Sequence, residues 1–489
     1  MNQYNNYEVM ELITIEITNT LSRVKFDNPR SQINKAVAKK LYDRLAYKQP
    51  GYQYTSAYQN GTWDGYIRLY NMYSGKFLTG LLNRVISILE EENIAYRIED
   101  KRRKPQVELK EINLNGVTLR DYQIEAVEKG IQAGRGIFDM SVGAGKTEIA
   151  AALIQRLDVP TLFIVHMRTL LHQTKKRLEE RLNTEVAQFG DGKYEWGKIV
   201  VASIQSLHRY IKNPTLKELV KNMSMVIVDE AHHVANNTYK NILQICDAYY
   251  RFGLSGTPLD REDGGSMITV GYLGEVIYQT KASDLIERNY LVVPEIRFSI
   301  VPEEAIPLQY RLEYRRSSDW REVYELGIVS NDYRNQMIKD ELKNLLKEKR
   351  HILIVVKEIK HAIILFEDLV KEIDKITYLT GQESSTKIQK SIKDFKNGKI
   401  QVLIATPLFD EGVDIQEIDA IIMAGGGQST IKTIQRLGRG IRKTKQKNSV
   451  TIVDFLDLHH PILYRHSMKR LRIYQRERAF KVLVPEKIT

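Results

Sequence analysis

Short unbroken apolar runs recur along most of the chain, separated by longer mixed stretches. Between residues 119 and 285 they are Thr161–Val165 (TLFIV), Ile199–Ala202 (IVVA), Met225–Val228 (MVIV) and Phe252–Ser255 (FGLS). A strand covered on both faces needs such continuous apolarity, whereas a strand with one wet face alternates. The intervening stretches, such as Leu170–Leu182, are long enough to be crossover helices. The pattern returns in His351–Val356, Ile376–Leu379, Gln401–Ala405, Ala420–Ala424 and Val450–Phe455. It predicts an α/β protein with two tandem parallel-sheet domains, joined somewhere between residues 285 and 335.

The first 118 residues lack this rhythm. They are Tyr-rich and carry a turn segment at Gln59–Gly65 (QNGTWDG). The charged run Glu99–Lys104 before Pro105 reads as a linker. The expected division is a small N-terminal α+β domain (1–104), a first α/β domain (105–290), a connecting segment (291–335), a second α/β domain (336–456) and a basic helical C-terminal extension (457–489).

Composition narrows the class. With 489 residues, 43% hydrophobic and 27% charged, the chain is an ordinary globular one of about three domains. Its one cysteine, Cys246, excludes an intrachain disulfide and a thiolate metal cluster, and fits a cytoplasmic protein. The N-terminus lacks the basic-then-apolar order of a leader, and no stretch of about 18 apolar residues occurs, so no membrane partner is expected. The net charge of +12 points to a polyanion. It is concentrated: residues 430–489 hold 15 Lys and Arg against 4 Asp and Glu. There Met468, Leu471 and Tyr474 recur every third residue, which predicts a helix with one packed face and one exposed basic face.

Met140–Thr147 (MSVGAGKT), followed by EIAAALIQRL, is a glycine-rich turn entering a helix. Backbone N–H groups of Gly143, Ala144 and Gly145 can then approach phosphates, with Lys146 reaching the β- and γ-phosphates and Thr147 holding Mg²⁺. Met140 stands where the usual pattern has glycine. Val226–His233 (VIVDEAHH) is an apolar strand ending in two carboxylates. Phosphoryl transfer needs one acid for Mg²⁺ and one to orient and deprotonate water, roles that suit Asp229 and Glu230. Arg439 and Arg442 lie three apart on one helix face, and their planar forks suit a transferring phosphoryl group.

With these motifs the chain resembles a superfamily 2 DEAH-box helicase. LRDYQ (119–123) resembles the adenine-reading segment, through Arg120 and Gln123. TLFIVHMRTLLHQT (161–174), VVASIQSL (200–207) and LSGTP (254–258) resemble motif Ia, the segment after it, and motif III. Ile352–His361, ATPLFDEGVDI (405–415) and QRLGRGIR (435–442) resemble motifs IV, V and VI. LDREDGG (259–265), GYLGEVIY (271–278) and LIERNYLVVP (285–294) resemble the XPB-like branch, and YQNGTWDGYIRL (58–69) with GKFLTGLL (75–82) resembles the N-terminal domain of UvsW-like phage helicases.

The resemblance implies an ATP- and Mg²⁺-dependent helicase or translocase built from two RecA-like domains. It implies nucleotide contacts at Gly412 and Asp414, catalytic roles for Gln435, Arg439 and Arg442, and coupling through His232, Ser255 and Thr257. Nucleic-acid contacts are implied at Arg168, Thr169, Ser203, Gln205, Thr380, Gly381 and Thr406. The implied substrate is branched or duplex DNA, including RNA–DNA hybrids, handled by a monomer with recombination or replication partners. An RNA-directed DEAH-type helicase and a translocase subunit of a restriction system are the alternatives. The cluster Tyr52, Tyr54, Tyr58, Trp63 and Tyr66 beside Lys48, Arg68 and Lys76 reads either as a nucleic-acid surface of the N-terminal domain or as its core.

Overall fold

The structure, a computed structural model, describes residues 12–141, 143–256, 265–349, 351–380, 382–406, 417–427 and 449–484. It divides into two compact units: residues up to Met140 with Gly145–Gln279, and Ser141–Ala144 with residues from Thr280 onward.

The first unit opens with a four-stranded mixed sheet. Its strands β1 (Ile13–Ile17), β2 (Leu21–Phe26), β5 (Lys76–Leu78) and β6 (Tyr96–Asp100) lie in the order β5-β2-β1-β6. A ribbon of β3 (Ala46–Lys48) and β4 (Tyr66–Arg68) stands apart from it. Helices Gln32–Arg44 and Leu82–Glu91 bury Val37 and Leu41, and Val85 and Leu89, respectively. This core is continuous with that of the following sheet, so the segment expected as a separate domain is fused to it. Arg251 staples the two: it is fully buried, donates to the carbonyls of Leu243, Cys246 and Tyr272 at 2.8 Å each, and reaches Thr20 Oγ1 at 3.3 Å. Gly80 permits the contact, because a Cβ there would stand 1.9 Å from the Val270 carbonyl.

Eight strands form the main sheet of this unit: β7 (Arg135–Met140), β8 (Thr161–Val165), β9 (Ala187–Gly190), β10 (Lys193–Tyr194), β11 (Ile199–Ser203), β12 (Met225–Asp229), β13 (Tyr250–Ser255) and β14 (Val276–Thr280). Their order is β10-β9-β11-β8-β12-β13-β7-β14. The run from β9 to β7 is parallel, and β10 returns antiparallel at the edge. Strands β8, β11 and the interior of β12 are buried throughout, as their continuous apolar runs require.

The second unit holds a seven-stranded sheet ordered β17-β18-β16-β19-β20-β15-β21. The strands are β15 (Val293–Val301), β16 (Ile352–Val355), β17 (Ile376–Leu379), β18 (Val402–Ala405), β19 (Ala420–Ile422), β20 (Ser449–Asp457) and β21 (Lys481–Leu483), and the pairs are parallel. Val293–Val301, expected within a connection, is therefore a strand of this sheet, paired to β20 along its whole length.

The C-terminal segment forms the expected helix with one packed face, and its packing goes deeper than the apolar marker implies. Helix Pro461–Gln475 buries Leu463, His466, Ser467, Arg470, Leu471 and Tyr474, a stripe at helical spacing that includes a basic residue. Arg470 is only 1% exposed, and β21 pairs with β15. The segment thus contributes a helix and an edge strand to the second unit. Among the described residues no helix is long and apolar enough to cross a membrane.

Candidate functional site

In the first unit, five parallel strands end at one edge of the sheet. Taken in sheet order, β11, β8, β12, β13 and β7 deliver Ser203, His166, Asp229, Ser255 and Met140. The register confirms the row, with Ser203 opposite Val165, Asp229 opposite Leu254 and Ser255 opposite Asp139. The carboxyl edge of a parallel sheet is where open α/β folds bind their ligands.

Beyond β7 the chain turns tightly, the amide of Ala144 donating to Ser141 O at 3.1 Å. Gly143 and Gly145 have φ of +90° and +79°, values a side chain disfavours. Helix Lys146–Leu157 starts at Gly145, so its first amides open onto this loop. Gly145 is also sterically required: a Cβ there would stand 2.2 Å from Gln123 Nε2. Gln123 is buried, and its Oε1 accepts the Arg120 amide at 2.9 Å, which aims the other end of its side chain at the loop. Arg120 itself donates to Tyr122 Oη at 3.1 Å. Lys146 Nζ donates to Met140 O at 3.3 Å, folding the ammonium over the loop.

Across the edge, desolvation and the neighbouring Glu230 carboxylate raise the Asp229 pKa to about 6, while Lys146 pulls it down. Lys146 and Asp229 thus share one electrostatic environment. Glu230 sits in the left-handed region at φ +50°, an arrangement that costs a non-glycine residue roughly 1 kcal/mol or more. Its amide donates to Asp229 Oδ1 at 3.0 Å, and its Oε2 lies 3.4 Å from His232 Nδ1. The ring of His232 is 4.2 Å from that of His233, which is 4.5 Å from His166. The sequence motifs assign no role to His166 or His233, although the doubled histidine of VIVDEAHH and the histidine of TLFIVH are visible there.

The donor set fits a nucleotide with its metal. A glycine cradle, an ammonium and a helix N-terminus suit phosphates. One hydroxyl and one carboxylate, Thr147 and Asp229, would suit a Mg²⁺ bound together with the phosphates.

The expected nucleic-acid residues are variously placed. Arg168 projects into solvent 3.5 Å from Asp191, and Thr169 is half-buried. Ser203 is buried: it caps helix Ile204–Tyr210 by accepting from Ser206 N, and donates to Gln205 Oε1 at 2.8 Å. Gln205 is exposed, and its Nε2 donates to His166 O at 2.6 Å. In the second unit Thr380 and Thr406 follow β17 and β18 side by side, the Thr406 amide donating to Leu379 O at 3.2 Å, and both are buried. Thr257, Gly381, Gly412, Asp414, Gln435, Arg439 and Arg442 lie outside the described residues.

The family described as "Type III restriction enzyme, res subunit" matches residues 116–260, and the "Helicase conserved C-terminal domain" matches residues 334–444. The chain belongs to the superfamily 2 helicases. This helicase is 24% identical over 502 residues to the ATP-dependent DNA helicase uvsW of Enterobacteria phage T4, a match covering 93% of this chain and 96% of that one. It is 26% identical over 368 residues to the DNA 3'-5' translocase XPB2 of Sulfurisphaera tokodaii, across 69% of this chain and 81% of the relative. Among solved structures it resembles the ATP-dependent Type ISP restriction-modification enzyme LlaBIII bound to DNA, with a TM-score of 0.55 at 16% identity over 80% of this chain and 32% of that one. Its two sheets are accordingly RecA-like, and it is an ATP-hydrolysing helicase or translocase that uses nucleic acid.

Proposed function

We propose that this motor remodels branched and duplex DNA: it migrates junctions, regresses forks, unwinds RNA paired to DNA and anneals strands. The observation that carries the reading is the extent of the likeness to uvsW. A match over 93% of the chain takes in most of the N-terminal segment, whereas the match to XPB2 spans 69%. The N-terminal segment also offers a surface suited to nucleic acid. Tyr54, Tyr58 and Tyr66 are exposed, Lys48 lies 4.2 Å from the ring centroid of Tyr52, and Arg68 lies 4.4 Å from that of Tyr42. The motor acts as a monomer in the cytoplasm, with recombination or replication proteins as partners.

In this reading the amides of Gly143, Ala144 and Gly145 hold the phosphates, Lys146 neutralises them, and Arg120 and Gln123 read the adenine. Thr147 and Asp229 hold Mg²⁺, which supplies charge neutralisation at the phosphate oxygens. Glu230 orients the attacking water and takes its proton, with His232 Nδ1 facing its Oε2. Gln435, Arg439 and Arg442 meet the charge that develops on the transferring group, and Gly412 and Asp414 complete the nucleotide contacts. His232, Ser255 and Thr257 couple hydrolysis to movement, and Arg168, Thr169, Ser203, Gln205, Thr380, Gly381 and Thr406 guide the strand.

Lys146→Ala is expected to abolish ATP hydrolysis and leave DNA binding largely intact; retained hydrolysis overturns the site assignment. Strand separation and ATPase on four-way junctions, forks, linear duplex and structured RNA test the substrate. Stimulation by RNA but not by branched DNA favours an RNA-directed helicase. Translocation on linear duplex without strand separation favours a restriction-type motor.

A further inference from the structure

At the outer end of the first sheet, beside β11, the hairpin of β9 and β10 carries an aromatic group that the functions assigned so far leave unused. Phe189 lies at its base, 5.4 Å from Tyr194, 5.9 Å from Trp196 and 6.3 Å from Tyr210, each contact edge-to-face. Phe189 is buried, but Tyr194 is 54% and Tyr210 39% exposed. The two tyrosines meet at 5.1 Å with their planes 78° apart, and their hydroxyls are hydrogen-bonded at 3.1 Å. Their polar ends therefore satisfy one another, while ring surface remains open to solvent. The pairing also sets their acidities apart: the shared bond raises the Tyr194 pKa and lowers that of Tyr210, which the Arg209 guanidinium lowers further.

This group continues the row of strand ends expected to guide nucleic acid. Asp191, at the hairpin tip, ties it to motif Ia through His172 Nε2 at 2.7 Å and Arg168 at 3.5 Å. Tyr210 closes the helix Ile204–Tyr210 whose first turn holds Gln205. At a rise of about 1.5 Å per residue the two lie roughly 8 Å apart along the helix. That is about two base steps of ~3.4 Å. The charge is suited as well: Glu195 is 3.8 Å from Lys193 and Asp191 is engaged as above, while Arg209 and Lys212 are exposed.

We infer that Tyr194 and Tyr210 form a stacking platform for a base of the tracked single strand, with Arg209 on the adjoining phosphate. The inference rests on the reading of this edge as the strand path and extends that path to the outermost strand. Stacking on an aromatic face is tolerant of sequence, which a motor needs.

The test is equilibrium binding of the full chain to oligo-dT and oligo-rU across a salt series, with 2-aminopurine as a stacking reporter. Replacing both residues (Tyr194→Ala with Tyr210→Ala) is expected to weaken binding about tenfold or more on whichever strand the wild type binds, without changing the salt slope. Quenching of bound 2-aminopurine is lost at the same time. Replacing both with phenylalanine keeps the rings and is expected to preserve affinity and quenching. Arg209→Gln is expected to lower the salt slope by about 0.7. ATPase without nucleic acid stays at the wild-type level in all variants. If the alanine pair fails to fold, Tyr194→Leu with Tyr210→Leu, which keeps apolar cover on Phe189 without an aromatic face, serves in its place with the same expected loss of quenching. Affinity within about twofold of wild type with quenching retained overturns the platform. A wild type that binds neither strand instead overturns the underlying strand-path reading.

Discussion

Arg470 and Asp454 are joined by a two-pronged ion pair that meets no solvent: Nη2 lies 2.9 Å from Oδ1, and Nε lies 2.9 Å from Oδ2. Tyr474 Oη donates to the same carboxylate at 2.7 Å, and Arg470 Nη1 donates to Gly427 O at 2.6 Å. The pair fastens the C-terminal helix to β20. Removing one partner of such a pair strands a buried charge, so Arg470→Ala is expected to cost the second unit about 3–5 kcal/mol in urea unfolding. Arg470→Met combined with Asp454→Leu replaces both charges with apolar volume and is expected to recover most of that loss. A single substitution costing less than about 1 kcal/mol would contradict the buried arrangement.

The same helix shows what the sequence conveyed and what it withheld. Its every-third-residue marker, Met468, Leu471 and Tyr474, located the helix and two of its buried positions. The full stripe also contains His466, which packs on the Trp320 ring, and Ser467 and Arg470, whose burial depends on hydrogen-bond partners elsewhere in the chain. Apolar periodicity reports burial only where burial is apolar. For that reason β8, β11 and β12 were legible, as unbroken apolar runs. In contrast β15 (VPEIRFSIV) was hidden by a proline and by the alternation that its partly exposed faces impose. The N-terminal strands alternate in the same way, β2 most clearly. At the site, residue types and spacing pointed to the loop at Lys146 and the acids at Asp229 and Glu230, which the structure sets in one electrostatic environment. Placing His166 and His233 beside them required the register of β8 and β12.

Gly145 is held by two constraints, its φ of +79° and the 2.2 Å that would separate an added Cβ from Gln123 Nε2. Gly145→Ala is therefore expected to fold yet lose about tenfold or more in kcat/KM for ATP, equivalent to ~1.4 kcal/mol or more. Combining it with Gln123→Ala removes the clash but not the backbone strain, so only partial recovery is expected. Steady-state ATPase of the two variants checks both statements, and an unimpaired Gly145→Ala enzyme would contradict them.

Glu230, the carboxylate proposed to take the proton, is held in a left-handed backbone conformation with its amide on Asp229. Glu230→Gln keeps size and polarity but cannot accept the proton. Hydrolysis is expected to fall about 10²- to 10⁴-fold. Nucleotide affinity should stay near wild type, as read by binding of a fluorescent ATP analogue. Equal losses in binding and turnover would assign Glu230 to nucleotide retention instead.

His361 is fully buried with Nε2 2.9 Å from Asn335 Oδ1, and burial, aided by Arg334, lowers its pKa to about 3. An unfolded histidine titrates near 6.5, so below about pH 6.5 the unfolded chain takes up a proton that the folded chain refuses. The stability tied to neutral His361 is complete above about pH 6.5 and is lost on acidification at ~1.4 kcal/mol per pH unit. His361→Gln is expected to flatten the pH dependence of the second unit's urea midpoint by one proton's worth. A slope unchanged by the substitution would show that other groups govern acid unfolding.

The basicity of the C-terminal segment is divided between structure and surface. Arg470 is spent in the core, Arg478 lies 3.2 Å from Asp284 and 2.7 Å from Glu287, and Lys481 lies 2.9 Å from Glu295. Deleting the residues after His460 would therefore remove a helix and a strand from the second unit, and any loss of binding would only report unfolding. Arg465, Arg472 and Arg476 are the exposed arginines of this helix and its C-cap. Changing all three to glutamine leaves the buried stripe intact. If they lie on backbone phosphates, the slope of log affinity against log salt on duplex DNA should fall by roughly 2–3, since each neutralised phosphate contributes ~0.9. DNA-stimulated ATPase should then need more DNA to reach the same maximal rate. An unchanged slope with wild-type stability would confine the motor's electrostatic contacts to other parts of the chain.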